Sequence, residues 1–257
     1  MGPLEQLAVV AAGLGAGFVM SAIGVASLVS FPVLIALGLP PVVANTSNTV
    51  GLIPAGLSGS FGYRRELSTH PRLTIAVLLT GAAGSIAGAF LLLRLPAGVF
   101  DALVPWLILF ACTLVGLQPR ISAWLRIKRE GHELGSSRTR MTRGIATLTT
   151  FAGVYGGYFG AGQGVVVVAI LALGLDLELK VVNALKTLAV LSANVVAGVI
   201  FIAIADLDWA VVGLLGAGSV IGGYVGSRVG RVLPPGLFRS LVVTAGVTAA
   251  AVMLFSR

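Results

Sequence analysis

The chain is organised as eight apolar blocks separated by short polar segments. The blocks span residues 4–39, 42–63, 73–93, 99–117, 145–175, 181–205, 209–229 and 237–255. An α-helix rises about 1.5 Å per residue, so about 20 apolar residues cross the roughly 30 Å hydrocarbon core of a bilayer. Backbone polar groups must bond internally in lipid, so each block is expected to be helical. The pattern predicts an all-α polytopic membrane protein.

Composition supports lipid as the solvent of this chain. Hydrophobic residues make up 57% of the sequence and charged residues only 10%, whereas soluble domains carry about 25% charged residues. Residues 1–257 are therefore predicted to form a single transmembrane domain whose main partner is the lipid bilayer.

Much of the net charge of +8 lies in one segment. Its basic residues are Arg120, Arg126, Lys128, Arg129, Arg138, Arg140 and Arg143. The preference of Lys and Arg for cytoplasmic loops explains this cluster better than nucleic-acid binding does. Residues 119–143 are predicted to be a basic cytoplasmic linker, and nucleic acid is not expected as a partner.

The segments on the two sides of this linker repeat each other. Gly24 matches Gly160 at a spacing of 136 residues, and after a two-residue shift Asn45 matches Asn183. The same shift pairs Thr49 with Thr187, Gly84 with Gly222 and Gly88 with Gly226. Residues 1–118 and 144–257 are thus predicted to be two homologous repeats of four blocks each.

The first and fifth blocks are too long for one crossing, and both are rich in glycine. The glycines are Gly13, Gly15, Gly17 and Gly24 in the first block, and Gly153, Gly156, Gly157, Gly160, Gly162 and Gly164 in the fifth. We expect each block to form two half-helices joined by an irregular turn, either re-entrant or crossing twice.

Charge placement favours inverted repeats. If the fifth block enters and leaves on one side of the membrane, Asp206 and Asp208 lie in an outer loop. Three basic residues then lie on the cytoplasmic side, namely Arg228, Arg231 and Arg239. This topology satisfies the positive-inside rule and gives the halves opposite orientations, as in many secondary transporters.

Lys186 is the only formal charge set about six residues inside an apolar block, or roughly 9 Å along a helix. A charge is expensive in hydrocarbon, so it usually faces a cavity and serves a ligand. The alternative is snorkelling, in which the long side chain carries its ammonium to the headgroups.

Polar residues at equivalent positions complete the candidate substrate site. The first repeat offers Asn45, Thr46, Ser47, Asn48 and Thr49, and the second offers Asn183, Lys186, Thr187, Ser192 and Asn194. Ser27 and Gln163 follow the breaks at Gly24, Gly160 and Gly162, where a half-helix presents N–H groups and its positive dipole end to an anion. The alternative is polar packing between helices.

Other chemistry is not indicated. His70 and His132 lie in polar loops without metal-ligand spacing, and no nucleophile–base pair suggests an enzyme. The glycines at residues 13–17 lack the preceding strand and acidic partner of a dinucleotide site. We therefore predict neither a cofactor nor a metal. Gly84, Gly88, Gly218, Gly222, Gly226 and Gly230 are interpreted as helix-packing positions.

The sequence resembles the TauE/SafE sulfite exporter family, also called the toluene-sulfonate uptake permease family. The resemblance rests on residues 24–32, with their glycine and following proline, and on Ala44-Asn45-Thr46-Ser47. In the second half it rests on residues 156–164, on Asp208-Trp209 and on residues 216–226. Two departures are Ile23-Gly24-Val25-Ala26-Ser27, where the family has a run of glycines, and Ala169 near the usual second proline.

The resemblance implies a permease of the bacterial inner membrane for sulfite, sulfonates or related small anions. Export is favoured, because each negative charge leaving a cell with a negative interior gains about 2.3 kcal/mol per 100 mV. The alternatives are uptake of a sulfonate or small carboxylate and, in a different class, a non-transporting membrane scaffold or assembly factor. The small-residue helix faces permit a homodimer.

Overall fold

The computed structural model describes residues 1–22, 24–130, 139–229 and 235–255, and these residues fold into helices joined by short connections. Ile23, His132, Gly230, Arg231 and residues 131–138 of the predicted linker lie outside the described residues. The all-α fold class predicted from the sequence is confirmed.

Twelve helices are present in the described part of the chain. They are α1 (Pro3–Ala22), α2 (Ser27–Ala36), α3 (Pro41–Gly51), α4 (Ile53–Gly62), α5 (Arg64–Thr69), α6 (Pro71–Arg94), α7 (Ala97–Glu130), α8 (Arg143–Tyr158), α9 (Gln163–Gly174), α10 (Leu179–Ile204), α11 (Trp209–Val229) and α12 (Pro235–Phe255).

Five of the described helices are long and apolar enough to cross a bilayer, namely α1, α6, α7, α10 and α11. Large apolar side chains remain exposed on them, among them Phe90 at 41% and Trp106 at 62%. Water would penalise such a surface, whereas lipid accepts it. The chain is therefore a multi-pass membrane protein.

The predicted divisions of the first and fifth blocks are confirmed. Helices α1 and α2 are separated around Gly24, and α8 and α9 around Gly160 and Gly162. All three glycines have φ between +77° and +88°, a left-handed conformation that glycine adopts without the Cβ penalty of other residues. The helices are thus interrupted where glycine adopts the turn conformation without steric strain.

Other glycines of these two blocks lie inside helices rather than at the breaks. Gly13 and Gly17 lie inside α1, and Gly153 and Gly157 lie inside α8. A Cβ atom at Gly17 would be 2.2 Å from the carbonyl oxygen of Ser219 in α11. These glycines let two backbones approach closely.

The second block, expected as one helix, forms two. Helices α3 and α4 meet at Leu52, and Pro54 lies in the first turn of α4. Proline has no N–H to donate to the preceding turn, which interrupts the helical ladder. The amides of Leu52 and Gly56 still donate to Asn48 and Leu52, so the chain continues as a helix on both sides.

Glycine-mediated packing joins the two halves of the chain. Helix α1 packs along α11, and α6 packs along α8. A Cβ atom at Gly222 would be 2.0 Å from the carbonyl oxygen of Leu14, and one at Gly88 would be 2.0 Å from that of Val154. The helix-packing interpretation is confirmed for these two glycines, and both contacts join the first half of the chain to the second.

Helix α10 lies at the centre of this assembly, in contact with α3, α4, α6, α8 and α9. Every residue from Ala184 to Asn194 is buried, and the sequence there includes a lysine and several polar residues. The fold thus encloses the polar stretch that the sequence marked as a candidate site.

We expect Gly222→Ala to destabilise the protein by at least about 2 kcal/mol, because its Cβ would overlap the backbone of α1. Gly213→Ala, in the same helix but with no atom within 4 Å of its Cβ, is the matched control. Thermal unfolding in detergent measures both variants. Equal melting temperatures would contradict the close packing of α1 and α11.

Candidate functional site

Lys186 of α10 is one of the largest fully buried side chains, with 1% of its surface exposed. Within the part of the chain that the structure describes, no hydrogen bond or ion pair engages its ammonium. The burial is inconsistent with snorkelling to the headgroups. A buried charge without a partner costs several kcal/mol, so an anionic ligand would be strongly favoured beside it.

The Lys186 side chain lies against the first helix break. A Cβ atom built on Gly24 would be 3.1 Å from Cδ and 3.2 Å from Nζ of Lys186. Gly24 also has φ +88°, so any other residue would be strained there. The glycine therefore serves both the turn and the space for the lysine.

The two helix breaks meet at this place. A Cβ atom on Gly164, in the first turn of α9, would be 2.5 Å from the carbonyl oxygen of Gly24. Gln163, the first residue of α9, packs its side chain against Gly156 of α8. The beginning of α9 is therefore in contact with the break between α1 and α2.

Gln163 brings an unpaired amide to this crossing. It is 1% exposed, and neither its Nε2 nor its Oε1 has a hydrogen-bond partner. A buried amide left without hydrogen bonds costs about 1–3 kcal/mol. Gln163 could therefore donate to, and accept from, a ligand.

Two asparagines of α3 add further amides. Asn45 donates from Nδ2 to the carbonyl oxygen of Tyr158 at 3.0 Å, where α8 ends. Asn48 accepts a hydrogen bond from the hydroxyl of Ser30 in α2. The other amide atoms, Asn45 Oδ1 and Asn48 Nδ2, are buried without partners. Both residues link α3 to a helix break and retain one group for a ligand.

The remaining polar residues of α3 are engaged within the protein. Thr46 donates to the carbonyl oxygen of Asp206 at 3.0 Å, and Ser47 accepts from the amide of Asp208 at 2.9 Å. Thr49 donates to the carbonyl oxygen of Asn45. Thr46 and Ser47 thus hold the connection between α10 and α11, as polar packing would predict.

The residues of α10 divide in the same way. The hydroxyl of Thr187 donates to the carbonyl oxygen of Asn183, and its methyl group lies near Gly59. Asn183 itself is half-buried. Ser192 donates to Ala189 and lies against Gly81 of α6. Asn194 is buried eight residues, or about 12 Å, beyond Lys186. Ser192 and Asn194 therefore lie six and eight residues further along α10 than Lys186.

The half-helix ends offer fewer free N–H groups than expected. In α2 the amides of Leu28 and Val29 donate to the carbonyls of Val25 and Ala26. In α9 the amide of Val165 donates to Gly162. The prediction of unpaired donors was wrong for these three amides. Ser27 begins α2 as predicted and is half-buried.

Sequence reasoning missed Ser30 and Tyr158. Ser30 is fully buried, and its place one turn after Ser27 was the available signal. Tyr158 ends α8 at the break, and its ring packs edge-to-face on Phe100 with centroids 5.6 Å apart. The aromatic pair helps to hold the carbonyl group that orients Asn45.

A cavity of about 330 Å³ lies elsewhere, between α7, α8 and α9. Its lining is apolar and contains none of the candidate polar residues: Leu114, Ile145, Leu148, Val165, Val166, Ala169, Ile170, Leu173 and Gly174. Such a lining cannot compensate an anionic charge. We therefore assign the candidate anion site to Lys186, Gln163, Asn45 and Asn48 rather than to this cavity.

Gly24→Ala is expected to be more destabilising than Gly38→Ala by about 1 kcal/mol, because the added methyl group crowds the enclosed Lys186. Gly38 is a matched control, since its φ of +85° imposes similar strain but its Cβ would have no neighbour within 4 Å. Thermal unfolding compares the two. Equal losses would mean that Lys186 does not depend on Gly24 for space.

Comparison with known proteins places this chain among membrane transporters. The family model described as sulfite exporter TauE/SafE matches residues 9–253. A probable membrane transporter protein of a Sinorhizobium species is 27% identical over 91% of this chain and 87% of its own length. One from Haemophilus influenzae is 24% identical over 95% of this chain and 92% of its own length.

No solved structure matches the chain significantly. The family match nevertheless covers both helix breaks, α3 and α10, and therefore the whole candidate site. The chain belongs to the sulfite exporter TauE/SafE family.

Proposed function

We propose that this membrane transporter exports a small sulfur-containing anion, sulfite or an organosulfonate, which binds between the two repeats beside the helix breaks. The observation that carries the proposal is the buried ammonium of Lys186, which has no protein partner among the described residues. An anion would neutralise it. Family membership supports a sulfur oxyanion as the substrate class.

Lys186, Gln163, Asn45 and Asn48 are the proposed ligand contacts. Gly24, Gly160 and Gly162 shape the breaks, and Ser27 lies beside them. The other predicted residues are assigned supporting roles: Thr46, Ser47, Thr49, Asn183, Thr187, Ser192 and Asn194. The hydroxyl groups of the threonines and serines among them form hydrogen bonds within the protein. They hold α3 and α10 in position around the substrate.

Inverted repeats are the proposed arrangement of the two halves. Helix α1 of the first repeat packs on α11 of the second, and α8 of the second repeat packs on α6 of the first. Because α1 corresponds to α8 and α6 to α11 in the repeat match, the two contacts are equivalent, which supports this arrangement. In such transporters one half rocks against the other around a fixed site. We place the protein in the bacterial inner membrane, with the basic segment 119–143 in the cytoplasm.

We expect sulfite or a simple sulfonate to raise the melting temperature of the purified protein. A ligand present at about 100 times its Kd stabilises by roughly 2.7 kcal/mol. Lys186→Gln and Lys186→Ala should lose this response, because the ammonium is removed. Lys180→Gln is the control, since Lys180 lies on the same helix but is exposed. An undiminished response in both Lys186 variants would contradict the proposed site.

Proteoliposomes test the direction of transport. With an imposed potential that is negative inside, net efflux of sulfite is expected, because each exported charge gains about 2.3 kcal/mol per 100 mV. Vesicles with Lys186→Gln protein provide the background. Net accumulation of sulfite against the potential, driven by an ion gradient, would instead identify an importer.

A further inference from the structure

The charge of the candidate site is small and well defined. Lys186 is the only formally charged side chain among the buried residues that the structure describes. The other polar side chains of the candidate site are amides and hydroxyls, which carry no net charge at neutral pH. Protonated Lys186 therefore gives the site a formal charge of about +1.

Charges on the neighbouring helices do not alter this value. The titratable side chains on helices packed against α10 are Arg64, Arg65 and Glu66 of α5, Arg72 and Arg94 of α6, and Arg143, Tyr155 and Tyr158 of α8. The arginines are exposed, and no carboxylate of a described residue pairs with Lys186. A dianion would therefore keep one uncompensated negative charge in a buried site, which is unfavourable.

The amides add a second selection. Asn45 has a defined orientation, because the Tyr158 carbonyl oxygen can only accept and so takes the Nδ2 donor. Asn45 Oδ1 then remains a buried acceptor without a donor, and so does Gln163 Oε1. A fully deprotonated oxyanion has only acceptor oxygens and cannot satisfy these two groups. A ligand with one hydroxyl group can donate to one of the two.

We propose that the site selects singly charged oxyanions that also carry a hydroxyl group, such as hydrogensulfite or a hydroxysulfonate, over dianions such as sulfate. In a solution of sulfite, the protonated form is then the species that binds. This inference rests on the proposed function, since it assumes that the anion binds at Lys186. The single ammonium favours a ligand with one negative charge. The unpaired amide oxygens of Asn45 and Gln163 favour a ligand that can donate a hydrogen bond.

Two matched pairs of probes test the two parts at one pH, so that the protonation of Lys186 is constant. Methyl sulfate and sulfate share a sulfur–oxygen core but differ in charge. Hydroxymethanesulfonate and ethanesulfonate are both monoanions of similar size, and only the first has a hydroxyl. Isothermal titration of the detergent-purified full chain gives the affinity of each.

We expect methyl sulfate to bind at least about tenfold tighter than sulfate, because the dianion leaves a buried charge unpaired. We expect hydroxymethanesulfonate to bind about tenfold tighter than ethanesulfonate, because only a hydroxyl can donate a hydrogen bond to an unpaired amide oxygen. Lys186→Gln should abolish binding of all four probes. Lys186→Met is a second uncharged variant if the glutamine protein does not fold.

The outcomes separate this inference from the proposed function. Lys186-dependent binding in which sulfate equals or exceeds methyl sulfate would overturn the charge selection and leave the anion site intact. Equal or tighter binding of ethanesulfonate would overturn the hydroxyl selection. If no probe binds in a Lys186-dependent manner, the proposed anion site itself is wrong.

Discussion

The burial of the Lys186 ammonium is the interaction around which the rest of the structure is arranged. Removing a charge from water costs several kcal/mol, and protein dipoles or a counter-ion must offset that cost. The lysine lies against the backbone of Gly24, and the start of α9 reaches the same place through Gly164. Two irregular turns, which would be costly in lipid, are thus enclosed together within the protein.

Close helix packing makes this enclosure possible. Where α1 meets α11 and α6 meets α8, glycines remove the side chains that would hold the backbones apart. Each pair joins one half of the chain to the other. A movement of one half relative to the other would change the surroundings of Lys186 directly.

Helix α3 carries two of the proposed substrate contacts and also holds the loop between α10 and α11, which lies outside the site. Asn45 and Asn48 contact the breaks, while Thr46 and Ser47, on the same helix, bond to the backbone between α10 and α11. A displacement of α3 upon binding would therefore be transmitted to that connection.

The sequence was enough to predict the apolar blocks, both glycine breaks and the isolated charge, because each follows from local composition and from what a bilayer tolerates. It also marked the asparagines of α3 and Gln163. It did not separate Asn45 and Asn48 from Thr46 and Ser47, since hydrogen-bond partners up to 161 residues away cannot be read from a local pattern. That division depends on the folded arrangement, which brings together Lys186, Gly24 and the start of α9 from distant parts of the chain.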